Sequence, residues 1–319
     1  MNWRILNAEP ENYSPQALEI LQGAGQVRLA ALSRAELLAA LAEVDALIVR
    51  LAFQVDEQVF DAAPHLRAVV SATTGLDHID LAAAERHGVQ VLSLRGEVEF
   101  LRSIPATAEL TWGLLLALTR NIPATFSSVL AGEWQRDRFK GHDLAGRRLG
   151  ILGLGRIGCI VARYGLAFGM RVIAYDPHPL AWVEGVERAV RMEDLLDAAE
   201  VLSIHVPLNP DTVGLVGAEQ LNRLPAGALL INTSRGDVVD EQALLAALQS
   251  GRLAGAALDV LSNERGAERG TSALVNYARS HANLLLTPHI GGTTYESMAA
   301  TEIFMAHKLV GYLHTLEQS

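Results

Sequence analysis

Arg235, Glu264 and His289 are the residues of this sequence whose types and positions best suit chemistry. Each closes or follows an apolar run that reads as a buried strand. Arg235 follows ALLINTS, Glu264 stands five residues after the Asp259 of GAALDV, and His289 stands in TPHIGG after NLLL. A guanidinium fork grips a carboxylate and polarises a carbonyl oxygen. An imidazole, which titrates near neutral pH, gives a proton to a developing alkoxide or takes it back. A neighbouring carboxylate favours the imidazolium and fixes the ring. Together they suit hydride transfer at the carbonyl of a 2-oxo acid. Each also has a structural use: surface ion pairing for the arginine, a hydrogen bond within its turn for the histidine. Glu268 shares the charged loop SNERGAER and rivals Glu264.

Hydride chemistry needs a carrier, and the stretch from Arg148 to Asp176 is built to hold one. The apolar run Leu149 to Leu152 ends at once in Gly153, Gly155 and Gly158, spaced G-x-G-x-x-G. The first glycine permits a tight turn, the second lets backbone approach a pyrophosphate, and the third lets the next helix pack on its strand. That helix points its N–H groups and positive dipole end at the phosphates. A second run, Val172 to Tyr175, ends at Asp176, where a carboxylate hydrogen-bonds ribose hydroxyls and repels a 2′-phosphate. No arginine or lysine follows closely, so NAD is expected over NADP. A glycine-rich turn in some other parallel α/β protein would leave Asp176 without a role.

The elements that must position these groups alternate with a strand-helix rhythm. In the first hundred residues WRILNA, VRLA, DALIVR, LRAVVSAT and VQVLSL read as strands, and Gly23, Gly25 and Gly88 sit where helices should stop. After Leu94 the rhythm breaks into RGEVEFLRSIP, a charged crossover. Helices are expected from Ala106 to Arg120 and Ala124 to Ala131, then the irregular EWQRDRFKGHDLAGRR. Six apolar strands follow from Leu149, and an amphipathic helix from Tyr295 to Leu316 is expected to return to the first domain. The fold class is therefore α/β, with a doubly wound parallel-sheet (Rossmann) nucleotide domain over 102–291 and a smaller flavodoxin-like substrate domain over 1–101 and 292–319.

Composition narrows the function classes. The 319 residues give each domain a core of its own, and half of them are apolar. A net charge of −10 without a basic block argues against nucleic-acid binding. Cys159 is the only cysteine, which excludes a disulfide framework and a cysteine-based zinc site; no metal is expected. The start MNWRILNAEP lacks a signal peptide's pattern, and Leu110 to Leu118 is too short to span a bilayer, so a cytoplasmic protein without membrane association is expected.

The run Gly153 to Asp176, with HVPLNPDT, INTSRGDVVDEQAL, AALDV and TPHIGG, resembles the D-isomer-specific 2-hydroxyacid dehydrogenase family. SATTGLDHID and ATAELTWGLLLAL resemble that family's substrate-domain turn and interdomain helix, so the likeness covers almost the whole chain. It implies catalytic roles for Arg235, Glu264 and His289. It places Arg156 and Ile157 at the pyrophosphate, His205 and Pro207 in the cofactor pocket, and Asp259 and the backbone near Thr233 at the nicotinamide amide. It gives the substrate carboxylate to the N–H groups of Thr74 and Gly75, a distal substrate group to Arg50, and a homodimer to the segment Ala106 to Ala131. Two departures stand out: Arg265 follows Glu264 where the family has proline, and RGEVEFLRSI is longer than usual, making Arg95 and Arg102 candidates for an anionic distal group. The short-chain dehydrogenases are excluded, because no tyrosine has lysine four residues on. A nucleotide-sensing interaction protein on the same fold remains the rival reading.

Overall fold

The computed structural model describes residues 2–179, 181–262, 264 and 271–318. Arg265 and Glu268 lie outside the described residues. The chain divides into two compact units, Met1–Ile104 with Thr293–Ser319, and Pro105–Gly292. The first crossover falls three residues later than 101 because Ile104, with Leu101, is buried in the core of the first unit.

The first unit holds five parallel strands, β1 (Trp3–Asn7), β2 (Gly25–Leu29), β3 (Ala46–Val49), β4 (Ala68–Ser71) and β5 (Gln90–Ser93), in the order β2-β1-β3-β4-β5. That is the flavodoxin-like order. Alternate residues face opposite layers: Trp3, Ile5, Ala46, Ile48, Ala68 and Val70 pack with Met305, Leu309 and Leu313 of helix Tyr295–Glu317, while Leu6, Leu47, Val49 and Val69 pack with Leu37, Leu41, Val59 and Phe60. Gly25, expected to stop a helix, instead opens β2. A Cβ there would lie 2.0 Å from the carbonyl oxygen of Trp3, so only glycine lets β2 pair with β1 at that register. The terminal helix is tied into this unit at its middle and at its C-terminal end: Lys308 donates to Ser93 O at 2.9 Å and to Glu97, and Glu317 accepts from the indole of Trp3 at 3.1 Å.

The second unit holds β6 (Arg148–Leu152), β7 (Arg171–Tyr175), β8 (Glu187–Arg188), β9 (Val201–Ile204), β10 (Ala228–Asn232), β11 (Leu253–Leu258) and β12 (Leu284–Leu286), all parallel. Among the described residues their order is β12-β11-β10-β9-β6-β7-β8. Counted from β6, this is the doubly wound order with one strand added at the edge. β9 and β10 are buried along their whole length because helices cover both faces. Leu149, Ile151, Val201, Leu229 and Ile231 pack under helix Ala106–Thr119, and Leu152, Leu202, Ile204 and Leu230 pack under the helices of the opposite face. The winding reverses between β6 and β9, and ligands of such sheets bind beyond the strand ends at that reversal. Among the described residues no helix is long and apolar enough to cross a membrane.

Candidate functional site

The turn after β6 lies at this reversal. Gly153 has φ +93°, and a Cβ on it would lie 2.8 Å from the backbone of His205 at the end of β9. A Cβ on Gly158 would lie 2.1 Å from Gly153 O, so this glycine lets helix Arg156–Ala167 fold back against its own strand. Gly155, the residue before that helix, faces open space, with nothing within 4 Å of where its Cβ would be. Among the described residues no side chain caps this helix, and helix geometry gives its first-turn N–H groups no intrahelical acceptor. These features fit a dinucleotide pyrophosphate over the N–H groups of Arg156, Ile157 and Gly158. The Ile157 side chain packs on the core instead, and burial lowers the pKa of the half-buried Arg156.

Asp176 ends β7 as expected for a ribose-reading carboxylate. One oxygen accepts from the N–H of Leu154, in the glycine turn, at 2.8 Å, and the other from the N–H of His178 at 2.7 Å. Each carboxylate oxygen keeps a lone pair for a hydroxyl. Asp176→Ala is expected to shift the ratio of kcat/KM for NADH over NADPH toward unity by about tenfold or more, the scale of losing charged hydrogen bonds and one like-charge clash. Asp176→Asn keeps the acceptor for Leu154 and separates charge from loop geometry. Unchanged discrimination in both would give ribose reading to another residue.

Arg235, Glu264 and His289 follow β10, β11 and β12, three strands adjacent in the sheet. Glu264 Oε1 lies 2.6 Å from His289 Nδ1, with both side chains about three-quarters buried. His289 itself has φ +57°, a left-handed conformation that a non-glycine residue adopts only when its surroundings enforce it. Asp259 supplies that enforcement. Its buried carboxylate accepts from Thr287 Oγ1 at 2.6 Å, Ile290 N at 2.9 Å and Gly291 N at 2.7 Å, and its carbonyl accepts from His289 N at 2.8 Å. Burial raises the Asp259 carboxyl above its ordinary range, and those hydrogen bonds and the neighbouring His289 only partly oppose the rise.

The Arg235 loop is equally constrained. Its carbonyl accepts from Asn232 Nδ2 at 2.9 Å, and its guanidinium donates to Ser234 O at 2.8 Å. A Cβ on Gly236 would lie 2.0 Å from the carbonyl carbon of Leu261, so the loops that carry Arg235 and Glu264 pack backbone against backbone. Thr233 is buried, with its hydroxyl 2.7 Å from that of Thr111. Thr111 is the polar interruption in ELTWGLLLAL, which the sequence shows without explaining. His205 bonds Ser203 Oγ at 2.8 Å, and desolvation pushes its imidazole down to about 3, leaving a neutral ring beside the glycine turn. Pro207 is exposed, and its carbonyl accepts from Thr212 Oγ1 at 2.6 Å.

The substrate candidates of the first unit lie beyond the strand ends of its sheet. Thr74 is exposed and Gly75 half-buried after β4. Arg50 follows β3. Its guanidinium is ion-paired to Glu302, which is 3% exposed, and donates to Glu11 O at 2.9 Å. Breaking a buried pair costs about 3–5 kcal/mol. Arg50 thus ties the terminal helix to the end of β3. Arg102 pairs with Glu99 on the surface at 2.8 Å, whereas the exposed Arg95 side chain makes no hydrogen bond or ion pair among the described residues.

Residues 112–291 match the family model described as "D-isomer specific 2-hydroxyacid dehydrogenase, NAD binding domain". This chain belongs to the D-isomer-specific 2-hydroxyacid dehydrogenase family. Within it, the chain is 37% identical over 310 residues to a D-3-phosphoglycerate dehydrogenase of Methanocaldococcus jannaschii, covering 96% of this chain and 56% of that one. It thus spans little more than half the length of that relative. Among solved structures, the TT0316 protein of Thermus thermophilus superposes with a TM-score of 0.84 at 34% identity, over 98% of this chain and 97% of the other. D-lactate dehydrogenase of Aquifex aeolicus, complexed with NAD and lactic acid, superposes with a TM-score of 0.84 at 26% identity, over 99% and 97%. The family's NAD-binding domain thus carries the glycine turn, Asp176 and all three catalytic candidates of this chain.

Proposed function

We propose that this chain interconverts a D-2-hydroxy acid and its 2-oxo acid with NAD(H). The observation that carries the reading is the His289–Glu264 pair, held on a backbone turn that His289 adopts only under constraint. NADH, when bound, supplies the hydride that adds to the carbonyl carbon. Arg235 binds the substrate carboxylate and polarises the carbonyl oxygen. With Nδ1 turned to Glu264, Nε2 is the atom of His289 that gives the proton to the new alkoxide. In the reverse direction, neutral His289 carries its proton on Nδ1, toward Glu264, and Nε2 accepts the hydroxyl proton. The family resemblance also assigns the N–H groups of Thr74 and Gly75 to the substrate carboxylate.

The relatives named D-3-phosphoglycerate dehydrogenase favour a substrate with a distal phosphate, for which Arg95 is the candidate partner. A panel of 2-oxo acids, phosphorylated and not, assayed with NADH and NADPH tests this. Turnover is expected with NADH and greatest with a phosphorylated acid. NADH binding without turnover of any 2-oxo acid would instead support the nucleotide-sensing reading.

The same reading includes a homodimer through the nucleotide-binding unit. Helix Ala106–Thr119 is largely buried within its own unit, so the apolar face on offer is formed by Ile122, Phe126 and Leu130, with Trp134 beyond, the last being 87% exposed. Such a contiguous patch marks a contact surface. Leu130→Asp is expected to convert a dimer to a monomer by sedimentation while NADH binding survives; an unaltered dimer would place the interface elsewhere.

A further inference from the structure

Glu241 is a half-buried carboxylate that the proposed mechanism does not use. It opens helix Glu241–Gln249, where a negative charge is favoured, yet it points toward the loop after β11. Its Oε1 accepts from the N–H of Ser262 at 2.7 Å, and the Ser262 hydroxyl adds a second hydrogen bond to the same carboxylate. Burial raises its pKa, and the Ser262 N–H opposes that rise. Ser262 stands two residues before Glu264. On the other side of Ser262, Gly236 lies so close that a Cβ would approach its nitrogen to 2.2 Å. The backbone that leads to Glu264 is therefore gripped from two directions, by a carboxylate and by the Arg235 turn.

We propose that Glu241 is a positioning residue for the reaction. It sets the path of the loop at Ser262 so that Glu264 reaches His289 Nδ1, and through that contact it determines how the imidazole is held. The inference rests on the dehydrogenase reading of the His289–Glu264 pair and extends the machinery to a residue that touches neither substrate nor nucleotide.

Four variants test it: Glu241→Ala, Glu241→Gln, Glu264→Gln, and the double variant Glu241→Ala/Glu264→Gln. Glu241→Ala is expected to lower kcat about tenfold, the scale of one lost charge-assisted hydrogen bond, while substrate KM and NADH affinity stay within about twofold. Glu241→Gln should recover most of that loss, because its amide oxygen accepts the same N–H. If Glu241 acts through Glu264, the double variant is no slower than Glu264→Gln alone. Additive losses, a glutamine variant as slow as the alanine one, or an alanine variant as fast as the parent would each overturn the proposal.

A readout independent of turnover separates this from failure of the dehydrogenase reading. The Cε1 resonance of His289 should move in Glu241→Ala as it moves in Glu264→Gln and stay at its parent position in Glu241→Gln. An unmoved resonance in Glu241→Ala overturns the positioning role whether or not the parent reduces a 2-oxo acid.

Discussion

His289→Ala is expected to lower kcat for 2-oxo acid reduction by about 10²–10⁴-fold, the range spanned by a positioned general acid. NADH affinity should change by less than about twofold, since nucleotide binding is assigned to the glycine turn and Asp176 at the ends of other strands. The split between the two effects is the informative part. A loss of turnover without a loss of binding places His289 in the chemical step; comparable turnover in variant and parent would remove it as the proton donor. His289→Asn offers the same check with a polar side chain. Glu264→Gln keeps an acceptor oxygen for Nδ1 but removes the charge that favours the imidazolium, so it should be slower than the parent and faster than His289→Ala. Stopped-flow binding of NADH alongside steady-state rates measures both quantities on each variant.

Arg235→Ala is expected to lower kcat/KM for the 2-oxo acid by about 10²–10³-fold, consistent with about 3–4 kcal/mol for removing one partner of a desolvated charge pair. Arg235→Lys should recover only part of this, because an ammonium does not reproduce a planar fork shared between a carboxylate and a carbonyl oxygen. The backbone makes a local collapse an unsuitable explanation for the loss. Arg235 is extended, its carbonyl is fixed by Asn232, and Gly236 is packed against Leu261 and Ser262. Those contacts do not depend on the guanidinium, whose own bond to Ser234 O is lost in Arg235→Ala. If Arg235→Ala instead lowers NADH affinity and kcat/KM in proportion, the arginine belongs to the nucleotide and another cation takes the substrate.

Much of this was legible in the sequence because burial leaves a simple mark. Strands covered on both faces are continuously apolar, so β6, β7, β9, β10, β11 and β12 could be read as runs, and the residues ending those runs were natural suspects. The short edge strand β8 could not, since Glu187 and Arg188 are both charged and exposed. Short helices at Val98–Leu101, Met192–Ala198 and Ala273–Ala278 also escaped, because one or two turns show too little period. For the site, residue type pointed to Arg235, Glu264 and His289 but said nothing about what holds them. The tie from Glu241 to Ser262 joins residues 21 apart, and the hydrogen bond from Thr287 to Asp259 joins residues 28 apart. Both depend on which strands become neighbours. The same holds for the pair between Arg50 and Glu302, which are 252 residues apart.

The most direct measurement of the central claim is a crystal structure of the nucleotide-bound protein with a 2-oxo acid. The account predicts His289 Nε2 within about 3 Å of the substrate's carbonyl oxygen, the geometry proton transfer requires, with Arg235 on the carboxylate and Glu264 still on Nδ1. A substrate seated away from His289, or Arg235 and His289 facing different surfaces while NAD is bound at the glycine turn, would contradict it.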